Sequence, residues 1–296
     1  MTSPIVKLIL GALTLAAAAA WASAAPGTSA RTLQLKGASR SYIVFAPKAK
    51  LSRPALVVVL HGRNGSGAAM LKRTRGTFNT LAQRDDFIVA YPDAPGGAWN
   101  TSHASATSGN DDVGYLSALI DALTTEFDVD PKRVYVTGFS MGASMSYRMA
   151  CERQDRIAAI GPVAGGLARG LMAACAAAAR RGIPLLVMHG TEDPINPSDD
   201  GELEGNVQYW IRRNGCQPYA AVTHNLAGDI DDGTHTYAAG YSGCKDGADV
   251  QVWSIEGGGH HWPGGDEPMR PGNGREIRDF DAAVVIWDFF KRHPKE

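Results

Sequence analysis

Residues Ala55 to Leu60 read ALVVVL, an unbroken apolar run bounded by Pro54 on one side and His61-Gly62 on the other. A strand with one wet face alternates apolar and polar residues. A continuous run rich in β-branched side chains is instead buried on both faces, as in the middle of a parallel sheet. This run constrains the fold more than any other feature, because parallel neighbours need long crossovers, usually helical. The rest of the chain supplies them. DFIVAYPD gives a second short strand. DVGYLSALIDALTTEF follows, with Val113, Leu116, Leu119, Ile120, Leu123 and Phe127 at helical spacing. DPKRVYVTGFSMGASMSYRMACE then reads as a strand over Val134 to Thr137, a tight turn and a helix. RIAAIGPVAG, IPLLVMHGTED and DVQVWSIEGGG add three more short strands, and DFDAAVVIWDFFKRH closes the chain as an amphipathic helix. Near the start, TLQLKGASRSYIVFAP reads as a hairpin. The pattern predicts an α/β fold with a mostly parallel central sheet flanked by helices on both faces. GDIDDGTHTYAAGYSG reads as a loop, and its aspartates as solvated rather than ligating.

The chain has 296 residues, of which 44% are hydrophobic, enough for a sizeable core. Its formal net charge is −1, with no block of like charge. That balance argues against nucleic acid or an anionic membrane surface as partner. Residues 1–25 have the form of a secretory signal peptide: Lys7, an apolar run from Leu8 to Ala20, and Ala22-Ser23-Ala24 for cleavage near Ala24 or Ala25. The run is too short to span a bilayer comfortably. Export to the periplasm or beyond the cell is expected, with no membrane attachment after cleavage. No Pro/Ser-rich linker divides residues 26–296, so one domain is expected there. All four cysteines, Cys151, Cys175, Cys216 and Cys244, lie in that part. An even count in an oxidising compartment suggests two disulfides. Three pairings are possible; Cys151–Cys175 and Cys216–Cys244 are favoured because each closes a short loop.

GFSMG, Gly138 to Gly142, is a G-x-S-x-G pattern. Alone it is weak evidence. Between a buried strand and a helix it has the context of a nucleophile elbow, which holds the serine at the sheet edge beside a helix N-terminus. A serine hydroxyl needs a base to take its proton, and that base needs an acid to fix its tautomer. Behind such an elbow the acid and then the histidine follow in chain order. Asp193, in the loop after LLVMHG and bracketed by Pro194 and Pro197, is the preferred acid; Glu192, Asp199 and Asp200 are alternatives. His260 and His261 follow the last strand and are the candidate bases, whereas His224 and His235 precede it. Neighbouring side chains diverge, and no third ligand is near, so the His pair does not read as a zinc site. The oxyanion hole needs two backbone N–H groups, expected from Met141 and from Arg63 in the loop LHGRNGSG. His61 and His189 precede glycines at strand ends and are expected to pack in those turns. Trp99, Asn100 and Trp262 lie in loops near the expected cleft and are candidate substrate contacts.

The segments VVVLHGRNGSG, YPDAPGGAWN, DDVGYLSALID, HGTEDPINP and GGGHHWPGG, with the serine segment among them, run in the order found in secreted polyhydroxybutyrate depolymerase and feruloyl esterase-like hydrolases, a group that includes acetyl xylan esterases. The resemblance extends from about Arg31 to Arg292. It implies an α/β-hydrolase fold over residues 26–296 and a carboxylic ester hydrolase with Ser140 as nucleophile, Asp193 as acid and His260 as base. It implies no metal or organic cofactor. The group's cysteine positions resemble those here. One departure is Ala143, where the group usually has a second glycine, which narrows the room beside the elbow. A serine peptidase on the same fold and a non-catalytic binding protein are the rival readings. The substrate class stays open among hydroxybutyrate oligomers, feruloyl or acetyl groups on plant polysaccharide, and simple short-chain esters.

Overall fold

The computed structural model describes residues 27–48, 52–102, 110–197, 202–223, 232–266 and 272–296. The expected signal peptide, Asp199, Asp200 and His224 lie outside these residues. Among the described residues ten strands form one sheet: β1 (Gly27–Leu35), β2 (Ala38–Ala46), β3 (Ala55–Leu60), β4 (Phe87–Pro92), β5 (Val134–Phe139), β6 (Ala159–Val163), β7 (Leu185–Gly190), β8 (Ala221–Thr223), β9 (His235–Tyr241) and β10 (Val250–Glu256). Their order is β1-β2-β4-β3-β5-β6-β7-β10-β9-β8. The inner six, β4 to β10 in that order, run parallel, and antiparallel pairs close both edges.

The two-sided burial of β3 is visible in its side chains. Leu56, Val58 and Leu60 enter one hydrophobic core, and Ala55, Val57 and Val59 enter the other. The first core is covered by α3 (Asp112–Phe127), α4 (Met141–Glu152), α5 (Arg169–Ala177) and α6 (Glu202–Asn214), and the second by α1 (Gly67–Arg73), α2 (Thr77–Asp85) and α7 (Ala282–Lys291). Period-two alternation sends successive residues to opposite faces, so neither face can tolerate a polar residue there. In α7, Ile286, Trp287, Phe289 and Phe290 are all fully buried, with Trp287 stacked on Phe87 at 3.8 Å and Phe290 on Tyr135 at 4.7 Å.

Two disulfides stand in the structure. Cys151–Cys175 ties α4 to α5, and Cys216–Cys244 joins the chain after α6 to the turn after β9. One sequence expectation is corrected. The stretch read as a loop contains β9, which pairs along its whole length with β10. Tyr237, Ala239 and Tyr241 share one face of the strand and Thr236, Ala238 and Gly240 the other, and the interior glycine and alanines hide that alternation.

All the loops that matter leave the same end of the parallel strands. β3 runs into His61, β5 into Ser140, β7 into the loop of Asp193, and β10 into the loop of His260. β4 and β5 lie on opposite sides of β3, so the chain direction of winding reverses there. Open α/β sheets bind ligands in the crevice beyond such a reversal.

Candidate active site

Ser140 occupies the turn between β5 and α4 with φ 55° and ψ −116°, a left-handed conformation in a residue that carries a side chain. Such a conformation costs on the order of 1–3 kcal/mol and persists only where the surroundings over-determine it. Here they do. The Ser140 N–H donates to the Val163 carbonyl at 2.9 Å. Gly142 lies so close to β3 that a Cβ there would stand 2.3 Å from the Leu60 carbonyl oxygen. A Cβ on Gly138 would stand 2.6 Å from the Gly142 backbone. Both glycines of the motif are therefore required by close backbone approach. Ala143, in place of a second glycine, is accommodated because its neighbour is Gly165; a Cβ on Gly165 would meet the Ala143 methyl at 2.9 Å.

The Asp193 and His260 side chains meet. His260 Nδ1–H donates to Asp193 Oδ2 at 2.7 Å, and both residues are buried. The bond fixes the tautomer, leaving Nε2 as the imidazole's acceptor. The other oxygen of Asp193 accepts from the Ile195 and Asn196 N–H groups, each at 2.8 Å. Burial pushes the Asp193 carboxyl up, but the hydrogen bond from His260 and those from Asn196 and Ile195 outweigh it and hold the group below its ordinary value. His189 lies beneath this loop and donates from Nε2 to the Asn196 carbonyl at 2.7 Å. The His260 ring packs on Phe139 at 4.8 Å, and the His260 backbone N–H donates to the Asn273 carbonyl.

Ser140 and His260 line one cavity of about 310 Å³, with Arg63, Asn64, Arg73, Phe139, Ile195 and Asn273 among the other walls. No hydrogen bond joins the Ser140 hydroxyl to His260 among the described residues; bonds of this kind commonly tighten only when substrate arrives. The N–H groups of Arg63 and Met141 donate to no protein group among the described residues. Met141 is the first residue of α4, where the helix leaves its N–H groups without internal partners. The Arg63 side chain is exposed and forms no ion pair among the described residues.

The Arg63 loop is held from behind. His61 accepts from the Ala94 N–H at Nε2 (3.0 Å) and donates from Nδ1 to the Gly62 carbonyl (2.7 Å). Burial pushes its imidazole below the ordinary histidine value. The Asn64 N–H donates to the Gly97 carbonyl at 2.8 Å.

The structure gives Trp99, Asn100 and Trp262 a different role from the one expected. None lines the cavity, and all three are buried. Trp99 Nε1–H donates to the His61 carbonyl at 2.9 Å, so it props the Arg63 loop. The Asn100 side chain accepts from Arg148 and donates to the Asn110 carbonyl. Trp262 packs edge-on against Phe78. Loop membership put these residues near the cleft; direction turned them inward. His261, the other candidate base, is buried and donates from Nε2 to the Gly274 carbonyl at 3.2 Å. The wall residues Asn64, Arg73, Phe139, Ile195 and Asn273 went unremarked in the sequence. Phe139 and Ile195 carried a usable signal, since one precedes the serine and the other follows the acid by two.

A serine elbow and a buried imidazole–carboxylate pair at the carboxyl end of a mostly parallel sheet define, with the relatives below, an ester-hydrolysing enzyme of the α/β-hydrolase class. The chain belongs to the esterase PHB depolymerase family, whose model matches residues 40–184. It is 30% identical over 287 residues to the putative esterase NocK of Nocardia uniformis subsp. tsuyamanensis, covering 87% of this chain and 81% of that protein. It is 31% identical over 238 residues to feruloyl esterase B of Piromyces equi, and 28% identical over 227 residues to the bifunctional acetylxylan esterase/xylanase XynS20E of Neocallimastix patriciarum. These alignments cover 75% and 76% of this chain but only 42% and 31% of the relatives' own lengths. The fold is that of the acetyl xylan esterase from Aspergillus awamori, with a TM-score of 0.66 at 19% identity over 79% of this chain and 94% of that one.

Proposed function

We propose that the protein hydrolyses carboxylic esters through an acyl-enzyme on Ser140. His260 Nε2 takes the Ser140 proton as Oγ attacks the ester carbonyl. The Arg63 and Met141 N–H groups receive the oxyanion, and the dipole of α4 adds to their field. His260 then protonates the leaving alcohol, and a water activated by the same imidazole releases the acid. Asp193 holds the imidazole in its Nδ1–H tautomer and stabilises the imidazolium. The observation that carries this reading is the buried 2.7 Å His260–Asp193 hydrogen bond opening on the cavity of Ser140.

The substrate class is a short or aromatic acyl ester: hydroxybutyrate oligomers, or feruloyl or acetyl groups on plant polysaccharide. The relatives' names favour the last two. Residues 1–25 serve as an export signal and residues 26–296 as a single catalytic domain acting outside the cytoplasm. Two disulfides favour that compartment, and no helix among the described residues is long and apolar enough to cross a membrane. A panel of hydroxybutyrate oligomers, methyl ferulate, acetylated xylan and p-nitrophenyl esters tests the assignment. Turnover of at least one class, absent in Ser140→Ala, is expected; cleavage of amides without esters would contradict it.

A further inference from the structure

We infer that Ile195 is the residue that reads the alcohol portion of the ester, favouring leaving alcohols that lay an apolar face against it, such as the C–H face of a sugar ring, over small ones; this rests on the acyl-enzyme reading above. Ile195 is 55% exposed, the one exposed isoleucine or leucine among the described residues, and it lies in the wall of the Ser140 cavity. The backbone that carries it is held in place. The Ile195 N–H donates to Asp193 Oδ1, and the next residue is locked on three sides: its N–H to the same oxygen, its Nδ2 to the Ala164 carbonyl, and its carbonyl to His189. An apolar group on a fixed backbone keeps its place at the cavity wall, so no loop ordering remains to be met on binding.

Strand order decides which half of the ester it meets. β3, bearing Arg63, lies on one side of β5 and Ser140; β7 and β10, bearing Ile195 and His260, lie on the other. An ester carbon at Ser140 Oγ, with its carbonyl oxygen toward the Arg63 and Met141 N–H groups, must turn its alcohol oxygen toward His260 Nε2 to be protonated there. The group beyond that oxygen then passes the His260 side of the cavity, where Ile195 stands.

The test compares the whole chain with Ile195→Ala, Ile195→Leu and Ile195→Gln on two ester series: acetates of methyl, butyl and benzyl alcohol, and p-nitrophenyl esters of increasing acyl length. For Ile195→Ala, kcat/KM for benzyl acetate falls roughly 10-fold, the scale of a few lost methylene contacts, while methyl acetate changes less than about twofold. Ile195→Leu restores the benzyl preference and Ile195→Gln does not. The acyl-length profile and the deacylation rate stay unchanged, because the alcohol has left by then. Equal losses across all alcohols, losses that track the acyl chain, or altered deacylation would each overturn the assignment. Failure of the acyl-enzyme reading shows separately, as turnover that survives Ser140→Ala.

Discussion

His260 and His261 are chain neighbours of the same type, equally buried, in one glycine-rich loop, yet their surroundings differ in kind. His260 meets a carboxylate whose charge its neighbours preserve, and its second nitrogen opens on the cavity. His261 meets a carbonyl, that of Gly274, and braces the loop that carries its neighbour. The difference comes from where the strands end. Gly190 and Gly259 are each crowded by backbone on the other loop or the segment behind it: a Cβ on Gly190 would stand 2.2 Å from the Gly258 carbonyl oxygen, and one on Gly259 equally close to that of Asn273. The loops of β7 and β10 therefore interlock, and that contact fixes which of the two imidazoles reaches Asp193. Side-chain type does not decide a histidine's chemistry; the charge beside it and the space beyond it do.

Four measurements sharpen or break this contrast. The largest effect belongs to His260→Ala, which should lower kcat by roughly 10⁴-fold or more, as loss of the base does in serine hydrolases; kinetics on a p-nitrophenyl ester reads it directly, and near-normal turnover would transfer the role to another residue. Asp193→Asn comes next. It keeps the shape but admits the wrong imidazole tautomer, so kcat should drop by up to about 10⁴-fold, with the fold intact by circular dichroism. His261→Ala should leave most of the turnover and lose stability instead, by about 1–3 kcal/mol, because it removes a buried ring and its hydrogen bond to the Gly274 carbonyl; denaturant unfolding measures it. The reverse pattern between His260 and His261 would invert the contrast altogether.

The smallest effect is the dependence of stability on pH. His61 is held below its ordinary value by burial, so the folded state binds fewer protons than the unfolded one as pH falls below about 6.5. Stability from the neutral ring is thus present above that point and is lost on acidification toward its lowered folded value. Asp193 adds a second stage: its stabilisation is complete above about pH 4 and disappears as pH falls through its lowered folded value. The melting temperature should be level near pH 7 and fall in two steps on acidification, the upper one absent in His61→Asn. A melting temperature that rises from pH 7 to pH 5 would contradict the burial argument.

Much of this architecture can be read from the chain, and the reasons are specific. Runs such as Ala55–Leu60 and Leu185–Gly190 are buried on both sides, so burial alone dictates their composition. The elbow is legible because backbone crowding leaves no choice but glycine at 138 and 142. The short helices α1 and α2 are less so, since seven and nine residues give too few turns for a clear period. Trp99 and Trp262 show a different limit. A tryptophan in a Gly/Pro-rich loop has the same sequence signature whether it faces a ligand or the core, and here both face inward because His61 and Phe78 offer partners distant in sequence. The cavity walls were hidden for the same reason: Asn273 and Arg73 reach the site from segments about 200 residues apart, a proximity only the fold creates.

The role of Ser140 as the activated nucleophile is tested most directly by a fluorophosphonate probe. Incubated with the folded protein, the probe should add one label, mapped by mass spectrometry to Ser140, with loss of ester hydrolysis in proportion and no label on Ser140→Ala. Correctly folded protein that hydrolyses esters while Ser140 stays unmodified would contradict the account.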